Sequence, residues 1–254
     1  MDAQVILVDV NAKMVAAWRD VFEDNPEVII VHGSMTDQAT SAWVSPTNSK
    51  GNMDGGLDGV IKKFLGPKIQ TRVQSEIARL HQGTMPLGYA TCVPTGAPKP
   101  PWLISTPTMV GRSDDVSDTL NVALACAAAF QAVRMQNAAV PGSIGSVALP
   151  GLGANTGKVP VEICADLMWT AYNLVRTQDF KGFHDMRVAL EAELGALGNA
   201  TPAPTKVQGA PGVKGPFVPP KGPVIPPKGP VVPAKPVGGV VPKPKPLADF
   251  DDTE

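Results

Sequence analysis

Apolar positions along the first 180 residues recur with two different periods, and the two alternate. Gln4–Val10 (QVILVDV) is a short apolar run, the pattern of a buried strand. Met14, Val15, Trp18, Val21 and Phe22 then fall at helical spacing over Ala12–Phe22, with Asn11 placed to cap the first turn. Val28–His32 and Ala42–Ser45 read as strands, the second ending at Pro46. Helices are predicted over 57–65 and over Lys68–Leu80. Gly88–Val93 and Trp102–Thr106 read as paired strands across a Pro/Gly turn. An alanine-rich helix over Asp115–Asn137 has to pack closely on a sheet. Ser143–Leu149 is a strand, and Val161–Arg176 a helix with Pro160 before its first turn, where proline is favoured. This alternation predicts an α/β fold with a mostly parallel sheet and helices on both faces. Ligands of such sheets bind beyond the carboxyl ends of the strands. That singles out the loops after Val31, Val44, Ile104 and Leu149.

The pattern stops near Leu197. Fifteen of the 27 prolines lie in residues 201–254. Residues 214–220, 221–227 and 228–234 are three copies of a seven-residue unit that begins Lys-Gly-Pro. Proline at this density removes amide donors and fixes φ, so extended polyproline II segments are expected in place of helix or sheet. We therefore expect one domain over 1–197, long enough to bury a single core, and a disordered Pro/Lys/Gly-rich tail over 198–254 with an acidic end. The tail reads as a solvated spacer or as a docking peptide for a protein partner with an aromatic-lined groove.

Net charge is −1, divided between a mildly acidic body and a basic tail. Such a body has no electrostatic footprint for duplex nucleic acid, but backbone amides can still hold a small anion. Cys92, Cys126 and Cys164 are odd in number and far apart, and His32, His81 and His184 are equally scattered. That spacing argues against a metal site or a disulfide framework. No apolar run is long enough to span a membrane, and Val5–Val8 is too short for a signal peptide. The expectation is a soluble cytoplasmic protein.

Two loops carry candidate chemistry. Residues 44–59 read VSPTNSKGNMDGGLDG, after a strand and before a helix. Asn48 offers both a donor and an acceptor for a sugar hydroxyl. Gly55, Gly56 and Leu57 offer amides at a helix start, and Asp58 sits in the first turn, where an acid is also favoured by the helix dipole alone. Residues 150–160 read PGLGANTGKVP, again between strand and helix. Gly153, Ala154, Asn155, Thr156 and Gly157 are small enough to leave successive amides open to a diphosphate. Lys158 is not followed by Ser or Thr, so this is not a nucleotide-triphosphatase loop, and the first strand lacks the GxGxxG turn of a dinucleotide-binding dehydrogenase.

Taken together, the two loops resemble the macro domain family, in its bacterial or phage branch. The family's strand-to-helix loop reads roughly N-A-A-N, a spacer, then G-G-G-V-D-G-x-I. Here the counterparts are Ser45-Pro46-Thr47-Asn48 and Asp54-Gly55-Gly56-Leu57-Asp58-Gly59-Val60-Ile61. The later loop keeps the family's eleven-residue length, from Pro150 to Pro160. The resemblance implies a three-layer α/β/α domain with a mixed, mostly parallel sheet. It also implies ADP-ribose or an ADP-ribosylated substrate as ligand, with no cofactor or metal. On the matched positions it assigns Asn48 and Asp58 to the distal ribose as candidate catalytic residues. Gly55, Gly56 and Leu57 become backbone contacts, and Gly153 to Gly157 the diphosphate loop. The family's adenine-contacting segment appears as Gly33-Ser34-Met35-Thr36, with Ser34 replacing an aspartate. Ser34 and Met35 are thus candidate base contacts. Tyr172, Phe180 and Phe183 read as core residues ahead of any base-stacking role.

Three functions fit these residues. One is hydrolysis at the distal ribose of an ADP-ribose derivative; another is a reader or sequestering module without turnover; the third is a scaffold whose tail docks a partner. Asn48 and Asp58 favour the first.

Overall fold

The structure, a computed structural model, describes residues 3–198. The proline-rich tail expected over 198–254 falls, from residue 199 onward, outside the described residues. Six strands form one sheet: β1 (Gln4–Asp9), β2 (Ile29–His32), β3 (Ala42–Ser45), β4 (Thr91–Pro94), β5 (Trp102–Ser105) and β6 (Ser146–Leu149). Their spatial order is β2-β1-β6-β3-β5-β4. Every pairing is parallel except the β4–β5 edge. Six helices cover the sheet: α1 (Ala12–Val21), α2 (Gly56–Leu65), α3 (Lys68–His81), α4 (Asn121–Ala139), α5 (Val161–Thr177) and α6 (Phe183–Gly198). This is the three-layer α/β/α arrangement expected from the alternation of periods.

Strand alternation divides the core in two. Val5 and Leu7 of β1, Ala42 and Val44 of β3 and Val147 and Leu149 of β6 face α1, α4, α5 and α6. Ile6, Val8, Trp43, Leu103 and Ala148 face α2 and α3. The central strands are therefore apolar on both faces, as parallel strands under two helical layers must be. In α4 every residue from Val122 to Val133 is buried, and its alanines let α5, α6 and the sheet approach on all sides.

Several boundaries differ from the sequence reading, each for a local polar reason. The long helix starts at Asn121 instead of Asp115. The Asp115 carboxylate accepts from the Ser117 amide (3.2 Å) and hydroxyl (2.7 Å), and the Val116 amide donates to the Gly157 carbonyl (3.0 Å). These contacts hold 115–120 in a turn docked on the later glycine loop. β6 begins at Ser146 because Ile144 is held by the Asn137 side chain through both its amide (2.8 Å) and its carbonyl (2.9 Å). Asn11 caps α1, accepting from the Lys13 amide at 3.0 Å. The sequence reading missed α6 and a short 3-10 turn at Met35–Asp37. Cys126 and Cys164 are buried, Cys92 is half-buried, and all three are free thiols. Among the described residues no helix is long and apolar enough to cross a membrane.

Candidate functional site

The carboxyl ends of β1, β2, β3 and β6 open into a cleft of about 630 Å³. Two strand-to-helix loops form its walls. On the first, β3 ends at the fully buried Ser45, whose hydroxyl donates to Oδ1 of Asp58 at 2.5 Å. Asp58 stands in the first turn of α2 and lines the cleft. Burial raises its carboxyl from 3.8 to about 7, the Ser45 hydrogen bond acting in the opposite direction. Gly56, at φ +55, takes a left-handed turn that a side chain would strain. Gly55, Gly56 and Leu57 line the cleft at this turn.

Asn48 is buried at the start of the same loop. Its Oδ1 accepts from the amides of Lys50 and Asn52, both at 3.1 Å. The side-chain NH2 group therefore faces the remaining partners, and the hydrogen bonds among the described residues do not use it. The loop after β5 runs alongside. Thr108 donates its amide to the Thr47 carbonyl (3.2 Å), and Ser49 donates to the Met109 carbonyl (3.0 Å). This loop brings Arg112 to Asp54 at 3.4 Å, and Asp54 also holds Lys62 at 3.1 Å. Both pairs are exposed and contribute little to stability.

The second wall is the loop after β6. Gly153 is left-handed at φ +73, and Gly157 packs so closely on it that an added Cβ would lie 2.7 Å from the Gly153 carbonyl and 2.6 Å from Val116. The Gly153 carbonyl accepts from the Val159 amide (3.2 Å), and the Asn155 carbonyl from Lys158 (3.1 Å). Those bonds curl the loop tightly. Among the described residues, no acceptor is paired with the consecutive amides from Leu152 to Gly157. A run of unpaired amides on a tight loop before a helix is a nest for an anion.

Ser34, Met35, Asn48, Gly55, Gly56, Leu57, Asp58, Gly153, Asn155, Thr156 and Gly157 all line this cleft. Ala154 does not: its methyl is half-buried against the hydrophobic core, so only its backbone is left for a ligand. The Ser34 hydroxyl is occupied, accepting from the Thr36 amide (3.2 Å) and pairing with the Thr36 hydroxyl (2.8 Å). Met35 is buried in the α2–α3 core. Tyr172 is buried between Phe22 and Phe130, and Phe180 and Phe183 pack on the same core. The sequence reading did not single out Asp9, Val10 and Arg112, which also line the cleft. For Asp9 and Val10 a signal was present, since they end a strand like the others.

The family model for the macro domain matches residues 44–168, which span both walls. An uncharacterized Aquifex aeolicus protein is 30% identical over 142 residues, covering 56% of this chain and 78% of that protein. The chain belongs to the macro domain family. A macro domain-containing protein of Streptomyces griseus is 30% identical over 92 residues, or 35% of this macro domain's chain and 52% of that protein. Among solved structures, the macrodomain of Mycobacterium tuberculosis DarG is 24% identical with a TM-score of 0.47, covering 56% of this chain and 88% of that one. The Oceanobacillus iheyensis macrodomain with ADP is 16% identical with a TM-score of 0.47, covering 65% and 90%.

Proposed function

We propose that this macro domain binds ADP-ribose or a derivative along the carboxyl edge of its sheet and hydrolyses the bond at the distal ribose. The order of the strands carries this reading. From β2 through β1 and β6 to β3 the cleft changes character in sequence. Val8, Val10, Ser34 and Met35 line one end, the loop with the unpaired amides of 153–157 the middle, and Asn48 with Asp58 the other end. Strands lie about 4.8 Å apart, so these zones succeed one another over a nucleotide's length. A base, a diphosphate and a second ribose match them in that order.

In this reading the 153–157 amides hold the diphosphate without formal positive charge. The Asn48 NH2 group donates to a ribose hydroxyl, its carbonyl being fixed by two backbone amides. Asp58, near 7, is poised to take a proton from a water directed at the ribose, since a base works best with its proton affinity near the ambient pH. Fitting substrates are esters of the distal ribose: ADP-ribosylated carboxylate side chains, and O-acyl or phosphorylated ADP-ribose.

The test is single-turnover hydrolysis of an ester-linked ADP-ribose substrate, beside calorimetric titration with ADP-ribose. The expected result is micromolar or tighter binding, with release well above the spontaneous rate. Binding without release would replace the hydrolase by a reader of ADP-ribose. No binding would overturn both.

A further inference from the structure

We infer that Asp9, at the end of β1, is the residue that reads the base of the ligand and selects one with an exocyclic amino group. The inference rests on the ligand orientation proposed above. Asp9 pairs across from His32 at the end of β2, and its carbonyl accepts from the Gly33 amide at 3.0 Å. It therefore stands where the nucleoside lies once a diphosphate occupies the β6 loop. Its carboxylate is fixed from two sides, Oδ1 accepting from the Asn11 amide (2.8 Å) and Oδ2 from the Gly151 amide (3.1 Å). The next residue is held as well, the His32 ring nitrogen lying 3.1 Å from the Val10 carbonyl.

Each carboxylate oxygen accepts one of these bonds, and a carboxylate has about four acceptor positions. Capacity is left for a donor from the cleft, at a fixed place. The alternatives at this end are uncharged or apolar. The Ser34 hydroxyl is engaged with Thr36, and Val8, Val10 and Met35 provide apolar walls. The other carboxylates lining the cleft, Asp54 and Asp58, belong to the α2 loop. A flat base between apolar walls thus meets one anionic acceptor at its edge. An amino group satisfies that acceptor, whereas a ring carbonyl opposes it with a second acceptor and is rejected. A site built to hydrogen-bond one group discriminates strongly against an analogue that lacks it.

The experiment compares ADP-ribose with inosine diphosphate ribose, in which the amino group is replaced by a carbonyl, on wild type and Asp9→Asn. Wild type is expected to prefer ADP-ribose by roughly ten- to hundredfold, the range for a hydrogen bond to a charged group. Asp9→Asn is expected to bring the two ligands within about threefold of each other, or to invert them, because Asn offers an NH2 donor. The ratio is internal to each protein, so a general weakening of the cleft does not mimic the effect. A parallel loss for both ligands, with the preference kept, would reduce Asp9 to an anchor for Gly151 and overturn the inference while leaving ADP-ribose binding in place. Equal affinities in wild type would overturn it without any variant. Binding of neither ligand by wild type would overturn the proposed function itself, and this inference with it.

Discussion

The two walls of the cleft solve different problems with different atoms. The β6 wall is backbone: the consecutive amides of 153–157 have no protein acceptor among the described residues and lie on a loop of small residues. The β3 wall is side chain: Asn48, Ser45 and a carboxyl raised to about 7. Amides carry no proton that titrates near neutrality, so the first wall can bind but cannot exchange protons. A half-buried carboxyl near 7 can exchange protons, but its burial costs stability. In the proposed function, binding and chemistry are thereby separated on two loops, which can be perturbed one at a time.

The largest separation is expected from Asp58→Ala. If Asp58 acts as a general base, single-turnover hydrolysis should fall by about a hundredfold or more, while affinity for ADP-ribose changes only severalfold. An equal fall in both would make Asp58 a binding residue. The converse perturbation is Gly157→Ala. Its Cβ would lie 2.6 Å from Val116 and 2.7 Å from the Gly153 carbonyl, so the loop must shift. Overpacking of this kind costs about 1–3 kcal/mol. The displaced amides should weaken ADP-ribose binding by more than tenfold, whereas the rate of the bound complex at saturation should change little. Calorimetry and saturating single-turnover rates separate the two quantities.

A third effect concerns stability alone. The Asp58 carboxyl holds its proton more tightly in the fold, at about 7, than at the ordinary value of 3.8. Its contribution to stability is therefore fully present below about pH 4 and is lost as pH rises to 7. Above that the charged group remains buried at a cost. Asp58→Asn removes the titration, so its thermal midpoint relative to wild type should rise between pH 4 and pH 8. A tenfold change in proton affinity is worth about 1.4 kcal/mol. A relative midpoint that stays flat with pH would mean the carboxyl is solvated and Asp58 is not poised for proton transfer. Ser45→Ala, which removes the opposing hydrogen bond, should move the midpoint of any pH–rate profile upward.

How far the sequence disclosed this arrangement depends on whether the relevant atoms are consecutive in the chain. Asn48, Gly55 to Asp58 and Gly153 to Gly157 stand within two loops, each between a strand and a helix, and their composition can be read directly. Asp9 is marked only as the end of a strand, whereas Arg112 reaches the cleft because the loop after β5 pairs with residues 47–49. No local pattern encodes that pairing. Ser34 looks like an acceptor in sequence, but its hydroxyl is tied to Thr36 by two hydrogen bonds within its own turn. The sheet's two-faced strands were legible because burial on both sides demands unbroken apolar runs. Helix α6 was not, because Met186 and Leu190 are buried while Val188 between them is exposed. A stripe that narrow gives a weak helical period. The start of α4 was misplaced because Val116 donates to Gly157, a contact 41 residues away in the chain.

The smallest expected effect is at Asn48, and it needs two variants to interpret. Its Oδ1 holds the amides of Lys50 and Asn52, so Asn48→Ala removes a loop anchor together with a ligand contact. Loss of one hydrogen bond is worth about 0.5–1.5 kcal/mol, or roughly two- to tenfold in affinity, but a slackened loop gives the same signature. Asn48→Asp keeps an oxygen for both amides and replaces the NH2 donor by a charged oxygen. If that donor meets the distal ribose, Asn48→Asp should retain the wild-type thermal midpoint yet lose ADP-ribose affinity as Asn48→Ala does. ADP, which lacks the second ribose, should not feel the loss of that contact, so its affinity should fall less than that of ADP-ribose in the Asp variant. Equal losses for ADP and ADP-ribose would move Asn48 away from the distal ribose and assign the effect to the added charge near the diphosphate.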